Sequence, residues 1–424
     1  MKNTRRNRPP AIVLGGAANA LSIVRSFGRA KIECYAINYT DAPVKYSRFC
    51  KWIDIPKAAG TMQRAWASYL LGPQSDHLRD AVLLAASDEA IELITEHRQA
   101  LSEKFRLDLS NPKAQLCMLN KLCTYQAARR AGVPTPKFWI ADKREQIEKL
   151  KNELSFPLIV KPMLSHEHKA KFDGASFVCV RTFNDLVEAF DATSRAGIKT
   201  FLVETIPGGD DQLCSYYTYL DENGNDLFDY TKRMIRRFPV KMGLGVYHVT
   251  DHVPEVKELS LRLFREAGLR GIANAEFKLD ERDGQLKLME CNARFTAADC
   301  LLKASGLDLA LLVYDRLTGH SHPAPTNFRS GMRLWYPVRD FRAYRQLSKM
   351  GLLSFYQWLR SILKPQIFPF FRWDDPLPTI ARLLAGSMRH IRARVLSTKV
   401  RSFRPVRPPS DQRVFQDGDR CANS

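Results

Sequence analysis

At 424 residues the chain exceeds one ordinary domain and predicts two or three, and its 45% hydrophobic and 26% charged content excludes wholesale disorder and a coiled-coil rod. The longest apolar runs, such as 301–317, are broken by charges such as Lys303 and Asp308, well short of the ~18 residues a membrane-spanning helix needs. The net charge of +20 is unevenly placed: residues 331–424 hold 18 Lys and Arg against 6 Asp and Glu, a net of +12, and the first eight residues add +4. Basicity therefore belongs to the ends, where nucleic acid, an anionic lipid surface and plain solubility all fit it. Lys2, Arg5, Arg6 and Arg8 precede a glycine-rich turn, not the apolar core of a signal peptide. Nine scattered cysteines, odd in number and without CxxC pairs, predict a reduced, cytoplasmic chain.

The first hundred residues alternate strand and helix, which predicts a parallel sheet. Strands are expected at 11–14, 31–37, 52–55 and 81–85, with a helix over 21–27 ending near Gly28 and another capped by Ser87 or Asp88. The Gly15-Gly16 turn invites a dinucleotide reading, but the pattern is GGAANA, not GxGxxG. The second strand also ends in Ile37-Asn38, without the acid that would hold a ribose. A tight turn allowing close helix–strand packing accounts for the glycines.

Asn111-Pro112 starts a helix that carries Leu116, Leu119, Leu122 and Tyr125 along one side and closes at Gly132. Strands follow at 156–161, 176–180 and 200–204, with a polar helix from Asn184 between the last two. Two hairpins are expected, 213–220 with 226–234 around Asn223-Gly224, and 273–279 with 286–292 around Asp283-Gly284. An amphipathic helix over 256–267 separates them. Aromatic and basic residues then intermix between Trp335 and Trp373, and the tail from Ser402 has the Pro/Arg-rich composition of a disordered segment.

Three features of residues 110–295 point to chemistry. Lys121 lies on a helix, and Lys161 ends the apolar strand FPLIVK; alone, either could be a solvated strand or helix end. Glu204 ends FLVE and leads into IPGGDDQ, where glycines permit close approach of backbone to a ligand. Most specific is NAEFKL…LKLMECNAR: alternation puts Asn274, Glu276 and Lys278 on one face of a strand, and Glu290 and Asn292 on one face of its partner. A register that places Glu276 opposite Glu290 and Asn274 opposite Asn292 would gather two carboxylates and an amide, hard ligands suited to Mg²⁺.

The order Lys121, FPLIVKP, VETIPGGDD, NAEF and MECNAR resembles the ATP-grasp superfamily, and within it the carboxylate–amine ligases related to D-aspartate ligase, over roughly residues 10–325. The resemblance implies an α/β and α+β architecture. A pre-ATP-grasp parallel-sheet domain (1–108) would be followed by a two-lobed ATP-grasp domain (109–325) and a basic, aromatic-rich C-terminal extension (326–424). It implies that Lys121 and Lys161 hold the ATP phosphates and that Glu204, Thr205 and Ile206 meet adenine, with the Glu204 carboxylate accepting from its amino group. Asp211, or Asp210 in the other register, would hold the ribose. Glu276, Glu290 and Asn292 would bind Mg²⁺ or Mn²⁺, and Arg294 would stabilise an acyl-phosphate. Lys232, Arg233 and Arg236 match the family's basic segment and would face phosphate or substrate carboxylate; Asn19 and Asp88 are further substrate candidates. The loop 164–176 departs from the family pattern, with one glycine, Gly174, and the basic set His166, His168, Lys169 and Lys171.

The activity so implied is ATP-dependent activation of a small carboxylate for attack by an amine. The rivals are a carboxylase using bicarbonate, and a basic surface-binding protein whose ATP fold is inactive. Nucleic acid is disfavoured because the positive charge lies outside the ATP-grasp lobes. The apolar and basic stretch around 352–364 has two readings: packing against the ATP-grasp lobes, which is the expectation, and docking on an anionic lipid surface at the cytoplasmic face of a membrane or on a partner, for which its Lys and Arg would serve.

Overall fold

A computed structural model of the chain describes residues 8–55, 61–164, 168, 171–172, 176–320 and 327–385. His166, Lys169 and Gly174, and the tail from Ser402, lie outside the described residues. The described residues divide into two compact units, one drawn from 8–112, 294–329 and 367–385, the other from 113–293 and 330–366. No helix among the described residues is long and apolar enough to cross a membrane.

The first unit is built on β1 (Ala11–Leu14), β2 (Cys34–Ile37), β3 (Lys51–Trp52), β4 (Val82–Ala85) and β5 (Arg106–Leu107), all parallel, in the order β3-β2-β1-β4-β5. The central run Ala-Ile-Val-Leu of β1 is wholly buried, as a strand covered on both faces must be. The helix Ala18–Arg29 ends beside Gly28 as expected, and the glycine there serves packing, since a Cβ would meet the Phe49 ring at 2.3 Å. Strand order reverses between β1 and β4, where the turn Gly15-Gly16 and the cap Ser87-Asp88 sit side by side. Open parallel sheets bind ligands at such a point. Ser87 Oγ accepts from Ala90 N at 3.3 Å and starts the helix Asp88–Glu96, as its sequence predicts.

The second unit holds two antiparallel sheets. The smaller, in the order β6-β9-β7-β8, comprises β6 (Phe138–Trp139), β7 (Leu158–Pro162), β8 (Val178–Val180) and β9 (Thr200–Glu204). The larger, in the order β14-β13-β10-β11-β12-β15, comprises β10 (Leu213–Leu220), β11 (Tyr230–Phe238), β12 (Leu244–Thr250), β13 (Gly271–Asp280), β14 (Gln285–Asn292) and β15 (Arg333–Trp335). One core joins Phe138, Phe201 and Val203 of the small sheet to Tyr216, Ala275 and Phe277 of the large one and to the helix Pro254–Ala267. The strand expected at 226–234 begins later, at Tyr230. Asp221 Oδ1 accepts from the backbone of Asn223 and Asn225 and widens the turn, while Asp226 and Asp229 pair with Lys257 at 3.0 and 2.6 Å.

The single helix expected from Pro112 to Gly132 is two, Pro112–Leu119 and Lys121–Arg130. Asn120 breaks it: its side chain accepts from Cys123 N at 3.0 Å and caps the second helix. The bend brings Cys117 and Cys123 together in a disulfide, Cα atoms 5.2 Å apart, so the expectation of an entirely reduced chain fails here.

Residues 330–366 are an integral part of the second unit. The buried Asp340 carboxylate accepts from Arg236 Nε and Nη2 at 2.6 and 3.0 Å and from the indole N–H of Trp335 and Trp358 at 2.9 Å each. It thereby ties the helices Pro337–Lys349 and Phe355–Ile362 to β11 and β15. In the first unit Asp375 does the same for 367–385, accepting from Arg25 Nε and Ser47 Oγ at 2.8 Å.

Candidate active site

The β13–β14 hairpin sets the geometry. Glu276 stands opposite Glu290 and Asn274 opposite Asn292, the register the side-chain alternation predicts. One step on, Phe277 faces Leu288, not Met289, so Met289 is an extra residue in a β-bulge. The bulge lets Leu288 turn into the core beside Phe277, both fully buried, while Glu290 keeps to the face of Glu276. It also frees the Met289 carbonyl from the ladder. Lys161 Nζ donates to that carbonyl at 2.9 Å and to Tyr125 Oη at 3.1 Å, and Tyr125 Oη donates to the same carbonyl at 3.3 Å.

Two lysines forty positions apart thus converge on β14. Lys121 Nζ lies 3.2 Å from Glu290 Oε1, and its backbone N–H donates to Met163 O at 3.0 Å, pinning the second helix to the end of β7. Burial lowers the Lys161 ammonium to about 8, and the charge of Glu290 works against that fall. Burial also raises the Tyr125 phenol, which stays a neutral donor.

A row of side chains crosses the large sheet on one face, in the order Lys232, Ser215, Glu276 and Glu290. Lys232 is 6% exposed and has no ion pair among the described residues; Ser215 Oγ is buried without a partner. Beside the row, Asn274 Nδ2 donates to Tyr216 O at 2.9 Å, and Asn274 Oδ1 accepts from Asn292 Nδ2 at 3.3 Å. That contact commits the nitrogen of Asn292 and leaves its Oδ1 available as a ligand oxygen. Among the described residues no cluster of three or more His, Cys, Asp or Glu is arranged to hold a metal ion. Two carboxylates and an oriented amide oxygen nevertheless fit Mg²⁺, which takes few protein ligands and completes its shell with phosphate and water. Ser215 is the residue that motif reading passes over; cross-strand register with Lys232 and Glu276 is the signal that finds it.

The segment after β9 is held from below. Lys278 Nζ donates to Ile206 O and Gly208 O, both at 2.9 Å, and burial lowers this ammonium to about 8. Gly208 has φ +92°, and a Cβ there would come within 2.8 Å of the Glu281 carboxylate, so the position requires glycine. Glu204 is less open than expected for an adenine contact: its carboxylate accepts from Lys137 N at 2.7 Å and pairs with Arg282 at 3.1 Å. Asp210 is buried against Arg237 at 2.6 Å and accepts from Lys241 N, whereas Asp211 is exposed, which leaves Asp211 as the ribose candidate.

Other candidates turn out to be braces. Arg236 does not present its charge to a ligand; it is consumed by Asp340, with Ser361 Oγ at 3.0 Å and the Tyr247 ring stacked on it. Arg233 pairs with Asp251 at 2.6 Å. In the first unit both N–H groups of the Asn19 amide donate to backbone, Ala86 O at 2.7 Å and Phe295 O at 2.8 Å, so Asn19 fastens the Gly15-Gly16 turn. Arg294 is described with that unit, where its Nε pairs with Asp88.

No family model matches the chain. It is 28% identical to D-aspartate ligase of Enterococcus faecium over 347 residues, which cover 77% of this chain and 82% of that one. It is 30% identical to D-alanine–D-alanine ligase of Alcanivorax borkumensis over 211 residues, 46% of this chain and 62% of the relative, so the match spans less than two thirds of that enzyme. Among solved structures, N5-carboxyaminoimidazole synthetase from Staphylococcus aureus in complex with ADP superposes with a TM-score of 0.58, at 16% identity, over 77% of this chain and 80% of that one. The chain has the ATP-grasp fold and resembles the carboxylate–amine ligases related to D-aspartate ligase.

Proposed function

We propose that the chain is an ATP-dependent ligase that activates a small carboxylate as an acyl-phosphate and joins it to an amine, releasing ADP and phosphate. The observation that carries this reading is the facing pair Glu276 and Glu290, with Lys121 3.2 Å from Glu290, Lys161 on the adjacent Met289 carbonyl and Lys232 farther along the same row beyond Ser215. A carboxylate is a poor acyl donor because its leaving group would be oxide. Transfer of the γ-phosphoryl group supplies a good one, and that transfer needs chiefly positioning and charge neutralisation. Lys121 and Lys161 hold the phosphates, Lys232 with Ser215 meets the transferred group or the substrate carboxylate, and Thr205, Ile206 and Asp211 take the nucleoside. Glu276, Glu290 and Asn292 hold the divalent ion, which when bound offsets phosphate charge. Arg294, paired with Asp88, is the candidate for the acyl-phosphate. Acids and amines of the amino-acid kind are the first substrates to try, given the names of the relatives.

The decisive experiment is ADP release against pooled D- and L-amino acids, with and without bicarbonate. Release that needs an amine supports the ligase. Release that needs bicarbonate instead makes the chain a carboxylase, and none under any condition favours an inactive fold.

Lys161→Ala is expected to weaken ATP binding about 10–100-fold, the ~1.5–3 kcal/mol of a charge-assisted contact. Because the free ammonium is lost as pH rises through about 8, and a bound phosphate holds the proton on, wild type should take up protons on binding ATP between pH 8 and 9. Lys161→Ala should not. Calorimetry in buffers of different ionisation enthalpy reads both effects, and identical proton uptake in the two proteins would remove Lys161 from the phosphate site.

A further inference from the structure

We propose that the solvent face of the two helices Pro337–Lys349 and Phe355–Ile362 is a docking surface for an anionic lipid bilayer. Half of the segment is tied down: Trp358 is buried, bonded to Asp340 and stacked on Tyr344 with ring centroids 5.0 Å apart. The other half is bare. Leu352, Phe355, Tyr356 and Leu363 are 62, 57, 71 and 74% exposed, and Phe341 is 46% exposed. Scattered apolar side chains on a surface need no explanation, but here Phe341 and Phe355 flank the Tyr344 ring, centroids 5.9 and 6.1 Å away, and Leu352, Tyr356 and Leu363 are exposed on the same short stretch of chain, a concentration that does.

Charge selects the occupant. Residues 337–364 carry Arg339, Arg342, Arg345, Lys349, Arg360 and Lys364 against one acid, Asp340, which is buried and already consumed by Arg236. All six cations are exposed, and none has an ion pair among the described residues. A second copy of the chain would bring the same uncompensated positive charge against itself. The tail 386–424, with 9 Lys and Arg against 3 Asp and Glu, is also of the wrong sign to cover the patch. Nucleic acid would match the charge but gives Leu352 and Leu363 nothing to stack on. An anionic interface satisfies both halves, with Lys and Arg at the headgroups and Phe, Tyr and Leu at the acyl boundary.

The test uses the full chain and sedimentation with phosphatidylcholine vesicles, with and without phosphatidylglycerol. Two triple variants separate the contributions: Leu352→Ser/Tyr356→Ser/Leu363→Ser, and Arg342→Glu/Arg345→Glu/Arg360→Glu. Wild type should bind only the anionic vesicles, and each triple variant should lose binding at least about tenfold while keeping its thermal unfolding midpoint. Equal binding by wild type and the Ser variant would assign the attraction to the basic tail alone and overturn the proposal. So would binding to phosphatidylcholine alone, a dimer in light scattering that the Ser variant abolishes, or binding to duplex DNA that the Ser variant abolishes.

Discussion

Glu290→Gln is expected to leave the fold and ATP affinity near wild type and to lower turnover by about 10²-fold or more, with partial recovery at high Mg²⁺ or with Mn²⁺. Glu290 and Glu276 face each other across β13 and β14. Two such charges ~5 Å apart repel by about 3 kcal/mol at an effective dielectric of 20. Lys121, 3.2 Å from Glu290, offsets part of that, and a divalent ion between the carboxylates would convert the remainder into attraction. Glutamine keeps the shape and one acceptor oxygen but removes a charge, so the cost falls on the metal requirement and the phosphoryl-transfer step. Nucleotide affinity should hold, because Lys121 is released from its carboxylate partner and Lys161 still has the Met289 carbonyl and Tyr125 to fix it. The measurement is initial ADP release against Mg²⁺ concentration for both proteins. Equal turnover at limiting Mg²⁺ would falsify the metal assignment and, with it, most of the case for ligase chemistry.

What was legible in the sequence was whatever local alternation and turn chemistry determine. The facing of Glu276 with Glu290 follows from period-two side chains and Asp283-Gly284, and it holds in the structure. The bulge at Met289 does not follow, because it depends on whether Leu288 or Met289 is drawn into a core that only the folded chain assembles. The consequence is chemical, since the bulge supplies the carbonyl that holds Lys161. The break at Asn120 was masked by the apolar repeat running through it, and with it the meeting of Cys117 and Cys123. Asp210 and Asp211 are indistinguishable as letters; burial against Arg237 separates them. Arg236 looked available because its partner is 104 residues away, and no local pattern announces an ion pair of that span.

That distant ion pair supports the largest stability effect expected here. Asp340→Asn should destabilise the second unit by about 3–5 kcal/mol, the usual cost of removing one partner of a buried pair. Asp340 is wholly buried and accepts four hydrogen bonds, two from Arg236 and one each from Trp335 and Trp358. An amide of the same size offers one acceptor oxygen and turns an NH₂ group toward N–H donors, while Arg236, 4% exposed, keeps a charge with no counter-ion. Domains hold together with ~5–15 kcal/mol in total, so the loss is a large fraction of what keeps 330–366 on β11 and β12. Urea unfolding followed by tryptophan fluorescence reads it directly, since Trp335 and Trp358 both contact the mutated carboxylate. The paired change Arg236→Met/Asp340→Leu separates structure from substrate binding: apolar residues of similar volume should restore most of the lost stability. If Arg236 is only a brace, the double variant also regains wild-type turnover. Recovered stability with lost turnover would return Arg236 to the substrate site, and an Asp340→Asn protein that unfolds at the wild-type urea concentration would show that this carboxylate does not hold the C-terminal helices in place.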